Sequence, residues 1–163
     1  MPFFVFILLI IIVRIGELLL SKRNEKWLLT HGAIEYGSGH YPYIVALHAS
    51  FFISLVIEYC SRHNTSYSLE FLILYLLVLV CKAWVILSLG KFWNVKIYHI
   101  PNVPLVKNGP YKFIKHPNYI LVVTEIAIIP LIFHLYYTAV IFSILNAIVL
   151  CIRIREENKV LQE

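Results

Sequence analysis

Long apolar runs separated by short polar stretches are the dominant pattern of the chain. Residues 3–20 are almost wholly apolar, and as a helix they would extend about 27 Å, close to the roughly 30 Å hydrocarbon core of a bilayer. Two further apolar runs of similar length cover residues 43–59 and 69–89. This pattern predicts three membrane-spanning helices before residue 90.

A final apolar stretch, residues 118–152, is too long for a single span. As one helix it would extend about 52 Å, well beyond the hydrocarbon core. Pro130 has no N–H to donate within a helix, and the aromatic-rich cluster at residues 133–137 is typical of a membrane interface. The stretch therefore predicts a hairpin of two short helices over residues 118–133 and 136–152.

Together these spans predict the fold class, an all-α polytopic membrane helical bundle of about five spans in a single domain, residues 1–163. Composition agrees, since 60% of residues are hydrophobic and only 14% are charged, against roughly 45–50% and about 25% in soluble domains. The mean hydropathy of +0.79 also indicates a membrane protein.

Basic residues are distributed unevenly between the loops. Eleven of the fourteen Lys and Arg residues lie in residues 21–42, in residues 90–117 and in the tail after residue 152. By the positive-inside rule, these three segments face the cytoplasm and the N-terminus lies outside. Topology thus accounts for the net charge of +5, and no nucleic-acid partner is predicted.

The sequence contains no pattern typical of a metal site. The three Cys residues are widely separated, and the seven His residues form neither an HExxH motif nor a Cys/His cluster. A glycine-rich nucleotide-binding loop and a GxSxG nucleophile motif are also absent from the sequence. We therefore predict no metal site. The candidate catalytic and binding residues lie in the cytoplasmic segments.

The segment between the third and fourth spans, residues 90–117, is rich in Pro and Gly and is predicted to be irregular. It ends at His116, and Pro117 suits the first turn of the following helix. The free N–H groups and the dipole at a helix start favour a carboxylate or phosphate. The alternative is purely structural, with a turn at Gly109-Pro110 and a helix start at His116.

A second constellation lies where the last span leaves the membrane. Arg153, Glu157 and Leu161 are spaced four residues apart and therefore share one helical face. The alternative is a solvated membrane anchor, in which an Arg/Glu pair adds only about 0.2–0.5 kcal/mol to a helix. Spacing alone is compatible with both interpretations.

Four Arg, Lys and Glu residues lie more than two positions from the ends of the predicted spans, where each is costly in hydrocarbon and needs a partner. Arg14 and Glu17 lie three residues apart, so we predict that they pair. Lys82 lies in the third span and Glu125 in the hairpin. Glu125 favours a different class of function, a small multi-span transporter that uses this carboxylate as a proton or cation site. A structural or assembly protein is the remaining alternative.

Four motifs follow one another over residues 105–161. They are Gly109-Pro110-Tyr111, His116-Pro117-x-Tyr119, an apolar hairpin, and Arg153-Ile154 followed by Glu157 and Leu161. In this order and spacing they resemble the isoprenylcysteine carboxyl methyltransferase family, integral membrane enzymes that use S-adenosylmethionine. That family commonly has two adjacent Glu after its Arg-Ile, whereas here Glu157 is followed by Asn158. One acid of the pair is therefore matched.

The rest of the chain resembles a bacterial branch of this family. The residues that carry this second resemblance are Arg14-Ile15-Gly16-Glu17, Arg23-Asn24-Glu25, Gly32-Ala33-x-Glu35, His40-Tyr41-Pro42, His48 and Lys91-Phe92-Trp93. The branch is the alkylpyrone O-methyltransferases that accompany type III polyketide synthases. This resemblance implies a bacterial plasma membrane protein whose active site faces the cytoplasm.

The resemblance implies a pocket for S-adenosylmethionine and a lipophilic substrate that enters from the bilayer lipids. Arg153 and Glu157 would be catalytic, with Arg153 holding the anionic nucleophile in line with the methyl group. The implied cofactor-binding residues are Leu105, Val106, Gly109, Tyr111, His116, Pro117, Tyr119 and Glu157. The implied reaction is O-methylation of the acidic hydroxyl of an alkylpyrone, and the alternative is carboxyl methylation of an isoprenylcysteine.

Overall fold

The computed structural model describes residues 2–37, 39, 41–62, 66–104 and 106–160. Residues 159 and 160 are described without their side chains. Within these residues the chain forms five α-helices and one small β-sheet. The helices are α1 (Pro2–Thr30), α2 (Tyr41–Ser61), α3 (Leu69–Leu89), α4 (Pro117–Ile132) and α5 (Tyr136–Val160). The strands are β1 (Ile34–Tyr36) and β2 (Ile97–His99).

The helices confirm the predicted membrane bundle. Among the described helices four are long and apolar enough to cross a membrane, over Pro2–Thr30, Tyr41–Ser61, Leu69–Phe92 and Tyr136–Asn158. α4 is a shorter apolar helix of 16 residues. Many large apolar side chains on the outer faces are exposed, as expected where lipid replaces water as the solvent. The chain is therefore an integral membrane protein built from helices.

Two predicted span ends differ from the ends of the helices. Hydropathy ends the first span at residue 20, but α1 continues to Thr30 and takes in much of the predicted loop 21–42. Pro and Gly are missing from this polar extension, and the chain turns only at Gly32, whose φ of +79° suits glycine. α5 continues beyond the predicted end of the fifth span at residue 152 to Val160, as the shared helical face of Arg153 and Glu157 requires, so this arm of the hairpin is long rather than short. Apolar runs mark the hydrocarbon region rather than the helix ends.

Segment 90–117, predicted to be irregular throughout, contains a strand and two short 3₁₀ turns. β2 pairs with β1 in antiparallel fashion, and Ile34 lies opposite His99. The 3₁₀ turns cover Gly90–Phe92 and Gly109–Lys112. Strands of three residues are too short to show an alternating pattern in the sequence. The sheet connects the end of α1 to the segment that follows α3.

Helices that follow one another along the chain run in opposite directions, so their termini gather at two ends of the bundle. At one end the hairpin turn between α4 and α5 is closed by the Pro130 carbonyl, which accepts from the Leu135 N–H at 2.9 Å. Glu58 of α2 accepts from the backbone N–H of Thr138 at 2.7 Å, in the first turn of α5. A carboxylate at this position accepts from a backbone N–H that has no partner within the helix, and it interacts favourably with the helix dipole. The predicted hairpin is confirmed.

The aromatic-rich cluster at the hairpin turn, residues 133–137, is partly buried. Phe133 packs edge-to-face on Phe3 of α1, with ring centroids 5.0 Å apart, whereas Tyr137 is exposed. Phe3 also stacks on Tyr59 of α2, with centroids 3.8 Å apart. These aromatic contacts hold α1, α2 and the hairpin together at this end of the bundle.

At the opposite end, the polar extension of α1 positions the segment that follows α3. The Asn24 amide donates to the Trp93 carbonyl at 2.7 Å. The Ser21 hydroxyl donates to Asn94 Oδ1 at 3.0 Å and accepts from the Val95 N–H at 3.1 Å. Ser21 and Asn24 are buried, and these hydrogen bonds satisfy their polar groups. The extension thereby fixes the backbone beside the candidate site.

Midway through the bundle, four charged side chains form a closed ring of ion pairs. Arg14 contacts Glu17 at 2.8 Å and Glu125 at 2.7 Å, and Lys82 contacts the same two carboxylates at 2.6 and 2.7 Å. Glu125 is only 1% exposed, and each of the four charges has a partner, as burial requires. The predicted pair of Arg14 and Glu17 is confirmed. We call these four residues the charge ring, which joins α1, α3 and α4.

Candidate functional site

The site is built on the start of α4. Pro117 is the first residue of the helix, where its missing N–H removes no helical hydrogen bond. The preceding His116 ring stacks on that of Tyr119, with centroids 5.3 Å apart and an interplanar angle of 18°. Both side chains contact Glu157 on α5. The stack therefore faces the end of the last helix.

Tyr119 connects α4 to two charged residues of α5. Its hydroxyl accepts a hydrogen bond from Arg153 Nε at 2.9 Å and donates one to Glu157 Oε2. Arg153 also donates from Nη2 to the Val95 carbonyl at 2.5 Å. Arg153 is 8% exposed, and its planar guanidinium is held at two points. The network gives this cation a fixed position at the end of the bundle.

His116 is a further partner of Glu157. Its Nδ1 lies 3.6 Å from Glu157 Oε1, a distance at which the pair attracts when the imidazole is protonated. Its Nε2 is buried and has no hydrogen-bond partner among the described residues. Because an unpaired buried polar atom is destabilising, His116 Nε2 is a candidate contact for a ligand.

A cavity of about 130 Å³ lies beside these residues, between the segment after α3, the start of α4 and the end of α5. We call it the polar cavity. Aromatic rings, amides and charges of both signs line it, which suits a ligand with several polar groups. No group of three His, Cys, Asp or Glu side chains within the described ranges could hold a metal ion. The polar and aromatic lining residues are Phe92, Trp93, Asn94, Lys96, Tyr98, Tyr111, Lys115, His116, Asn118, Tyr119, Arg153 and Glu157.

A second cavity, of about 300 Å³, lies between the helices and has mostly apolar walls. We call it the apolar cavity. The α5 residues that line it are Asn146, Val149, Leu150 and Arg153. Their spacing is that of one helical face. The charge ring contributes Arg14, Glu17 and Lys82 to the same lining. These walls suit a lipid that combines an apolar chain with a polar head.

The two cavities meet at one group of residues. Trp93, Asn118, Tyr119 and Arg153 line both of them. Arg153 therefore faces a polar compartment on one side and an apolar compartment on the other. A polar reactant and a lipophilic reactant can meet at its guanidinium.

Two groups near the polar cavity have shifted proton affinities. Burial raises the pKa of the Tyr111 hydroxyl, and the nearby Glu157 carboxylate adds to the shift. Tyr111 is therefore a protonated donor at neutral pH rather than a base. Lys96 donates to Glu25 at 2.9 Å and to Glu35 at 3.3 Å, and the hydrogen bond to Glu25 in particular raises the pKa of Lys96. Lys96 thus supplies a permanent positive charge.

The structure brings part of the predicted site together. The predicted residues that line the polar cavity are Tyr111, His116, Tyr119, Arg153 and Glu157. Three others, Val106, Gly109 and Pro117, line neither cavity. Leu105 and Leu161 lie outside the described residues.

The structure explains Gly109 by its contact with α3. A Cβ at this position would lie 2.2 Å from Ser88 Oγ and 3.2 Å from Trp84 Nε1, and the φ of +55° also favours glycine. Gly109 thus allows the turn before Tyr111 to pack closely on α3. This is the structural role that the sequence left open.

Several residues that line the cavities are not among the predicted site residues. Trp93 and Asn118 lie within matched motifs, but Asn118 occupies the variable position of His116-Pro117-x-Tyr119. Asn146 is a polar residue within an apolar run, and this is the sequence feature that could have identified it as a functional residue. Asn118 and Trp93 line both cavities, and Asn146 lines the apolar one.

Comparison with known proteins places this geometry in context. The sequence profile of the isoprenylcysteine carboxyl methyltransferase (ICMT) family matches residues 71–163. The uncharacterized protein YpbQ of Bacillus subtilis (strain 168) is 44% identical over 163 residues, covering 99% of this chain and 97% of its own length. An uncharacterized protein of Haemophilus influenzae is 29% identical over 153 residues, covering 91% and 88%. No solved structure matches.

Proposed function

This chain belongs to the isoprenylcysteine carboxyl methyltransferase family and is a membrane methyltransferase, and from that premise we propose the reaction it performs. It is an S-adenosylmethionine-dependent O-methyltransferase that acts on a lipophilic substrate dissolved in the membrane. The preferred substrate is the acidic hydroxyl of an alkylpyrone-type polyketide. The observation that carries the proposal is the position of Arg153 at the junction of the polar and apolar cavities.

The polar cavity has side chains that fit the cofactor. The Glu157 carboxylate suits the ribose hydroxyls or the positive sulfur, and the aromatic faces of Tyr111 and Tyr119 also favour a cation. His116 Nε2, buried without a partner among the described residues, suits a polar atom of the ligand. We assign these residues to cofactor binding.

Arg153 aligns the oxygen nucleophile. When bound, S-adenosylmethionine supplies an electrophilic methyl group on a positively charged sulfur. Arg153 uses Nε for Tyr119 and Nη2 for Val95, and within the described part of the chain its Nη1 makes no hydrogen bond. We assign Nη1 to the anionic oxygen of the substrate. Because the guanidinium is held at two points, it fixes that oxygen for an in-line displacement.

The reaction needs no strong base. The enolic hydroxyl of a pyrone and a carboxylic acid are both largely ionised near neutral pH. With the cofactor bound, its methyl group would be transferred to the anionic substrate oxygen held by Arg153, and its sulfur would depart as a neutral thioether. No proton is transferred in this step. The protein therefore contributes alignment by Arg153 and exclusion of water by the apolar walls.

The apolar cavity supports a lipid substrate. It lies among helices of membrane-spanning length, and most of its lining is apolar. The choice of an alkylpyrone rests on the resemblance of residues 14–93 to the bacterial branch. The carboxyl group of an isoprenylcysteine is the alternative, and it would use Arg153 in the same way. The identity of the methylated product distinguishes the two.

We place both cavities at the cytoplasmic face of the bacterial plasma membrane. The bundle end that holds them also carries the three basic segments, with eleven of the fourteen Lys and Arg residues, whereas Arg62 lies at the other end. By the positive-inside rule, the end with more basic residues faces the cytoplasm. This orientation gives the polar cavity access to a cytoplasmic cofactor.

Methyl labelling of host lipids tests the proposed reaction. Membranes containing the protein are incubated with methyl-labelled S-adenosylmethionine and a lipid extract of the host, and the labelled lipid is identified by mass spectrometry. We expect the label as a methyl ether on the enolic hydroxyl oxygen of an alkylpyrone, whereas a labelled prenylcysteine carboxyl would support the alternative. Arg153→Lys should lose most of the label, and the exposed Arg155→Lys is the matched control. Absence of any labelled lipid with the unmodified protein would contradict the proposal.

A further inference from the structure

The apolar cavity contains a buried polar side chain that the proposed reaction does not use. Asn146 of α5 is 2% exposed, and its amide nitrogen has no hydrogen-bond partner in the described part of the chain. Asn146 nevertheless lines the apolar cavity. At membrane depth no bulk water satisfies such a group, so an unpaired amide is destabilising.

Asn146 lies on the same face of α5 as Arg153. The two residues are seven positions apart, which is two helical turns or about 10 Å along the axis. Between them, Val149 and Leu150 line the same cavity. A ligand that lies along this face therefore meets a polar group at each end of an apolar stretch.

Four other polar residues of the apolar cavity already have partners. Arg14, Glu17 and Lys82 are paired within the charge ring. His48 donates from Nδ1 to the Ile44 carbonyl at 2.8 Å. The amide nitrogen of Asn146 differs from these groups because it is a buried donor that faces no acceptor among the described residues. Trp93 Nε1 is a second such donor, but Trp93 also lines the polar cavity, whereas Asn146 lines the apolar cavity alone.

We propose that Asn146 determines substrate specificity by donating a hydrogen bond to a second oxygen of the substrate head group, distinct from the oxygen that is methylated. This inference rests on the proposed function and narrows its substrate class. The substrate is a lipid whose head carries at least two oxygen functions, such as an oxygen heterocycle with a ring carbonyl. A lipid with a single hydroxyl would leave the amide unpaired, and sites built for a hydrogen bond discriminate strongly against such analogues.

Ligand binding without methyl transfer tests this role. The purified protein in nanodiscs is titrated with a 4-hydroxy-2-pyrone and with a phenol that carries the same alkyl chain. The Kd is read from tryptophan fluorescence, since Trp93 lines both cavities. Asn146→Leu keeps the branched shape of the side chain but removes the amide. Asn146→Ala removes the amide with a smaller side chain, and Asn146→Gln retains the amide. Thr124→Val, on α4 outside both cavities, is the matched polar-to-apolar control.

We expect Asn146→Leu and Asn146→Ala to raise the Kd of the pyrone at least ~10-fold and to leave that of the phenol within about twofold. Asn146→Gln and Thr124→Val should bind both ligands as the unmodified protein does. The inference is overturned if the two amide-free variants change neither Kd, or if they change both equally, which would indicate a packing role. The expected binding pattern without any methyl transfer would count against the proposed reaction and not against the role of Asn146.

Discussion

The Tyr119 hydroxyl and the Glu157 carboxylate form a hydrogen bond that joins the start of α4 to the end of α5. The same hydroxyl accepts from Arg153, so one oxygen atom links Arg153 and Glu157 of α5. Glu157 lines the polar cavity, whereas Arg153 lines both cavities. Substitutions at the two residues should therefore change different kinetic constants.

Glu157→Gln is expected to raise the apparent KM for the cofactor about 10-fold with little change in kcat, because it removes binding that the ground state and transition state share. Initial rates measured over a range of cofactor concentrations check this. Glu156→Gln, next to it but outside both cavities, is the control. A lower kcat at an unchanged cofactor KM would contradict this assignment.

His116→Ala is expected to weaken cofactor binding about 10-fold while the protein stays folded, because it removes the buried Nε2 and the stack on Tyr119. The His116 side chain makes no capping hydrogen bond to α4, so a large loss of thermal stability is not expected. Calorimetric titration with the cofactor and a melting curve separate the two effects. A destabilised variant with normal cofactor affinity would support the purely structural interpretation instead.

Glu125→Gln is expected to destabilise the protein by about 3–5 kcal/mol, because it leaves two buried cations with one carboxylate. The double variant Lys82→Met/Glu125→Leu keeps the Arg14–Glu17 pair and restores neutrality, so it should recover much of that loss. Unfolding experiments in detergent measure the stability of the single and the double variant. Unchanged stability of Glu125→Gln, together with loss of ion-dependent uptake into vesicles, would favour a transporter.

Membrane orientation is expected to follow the basic residues. In a variant without the three native Cys residues, Asn108→Cys should react with an impermeant thiol reagent only from the cytoplasm. Tyr67→Cys, at the opposite end of the bundle, should react only from outside. If position 108 reacted from outside, the polar cavity would face away from the cytoplasm that supplies the cofactor. That result would contradict the proposed orientation.

The helices were predictable from sequence because a lipid solvent requires continuous apolar runs. Residues 69–89 coincide with α3, since polar residues flank that run on both sides. The polar extension of α1 to Thr30 and the three-residue strands were not predictable in this way. They depend on tertiary hydrogen bonds, such as that from Asn24 to Trp93, which leave no periodic signal in the sequence.

The candidate site was predictable only within each local motif. Spacing places His116 near Tyr119 on α4, and Arg153 near Glu157 on α5. The packing of the two helices, which brings Tyr119 to Arg153, depends on contacts across 34 positions of the chain. The same limit applies to Glu125, whose partner Arg14 lies 111 positions away.

The kcat of Arg153→Lys, measured with both substrates saturating, tests the central claim most directly. Lysine keeps the charge but lacks the planar fork that contacts Tyr119 and Val95 while leaving Nη1 for the substrate. We predict a kcat about 100-fold below that of the unmodified enzyme, with Arg155→Lys unchanged. A kcat within about twofold of the unmodified value in a folded Arg153→Lys protein would contradict the account and identify the end of α5 as a solvated anchor.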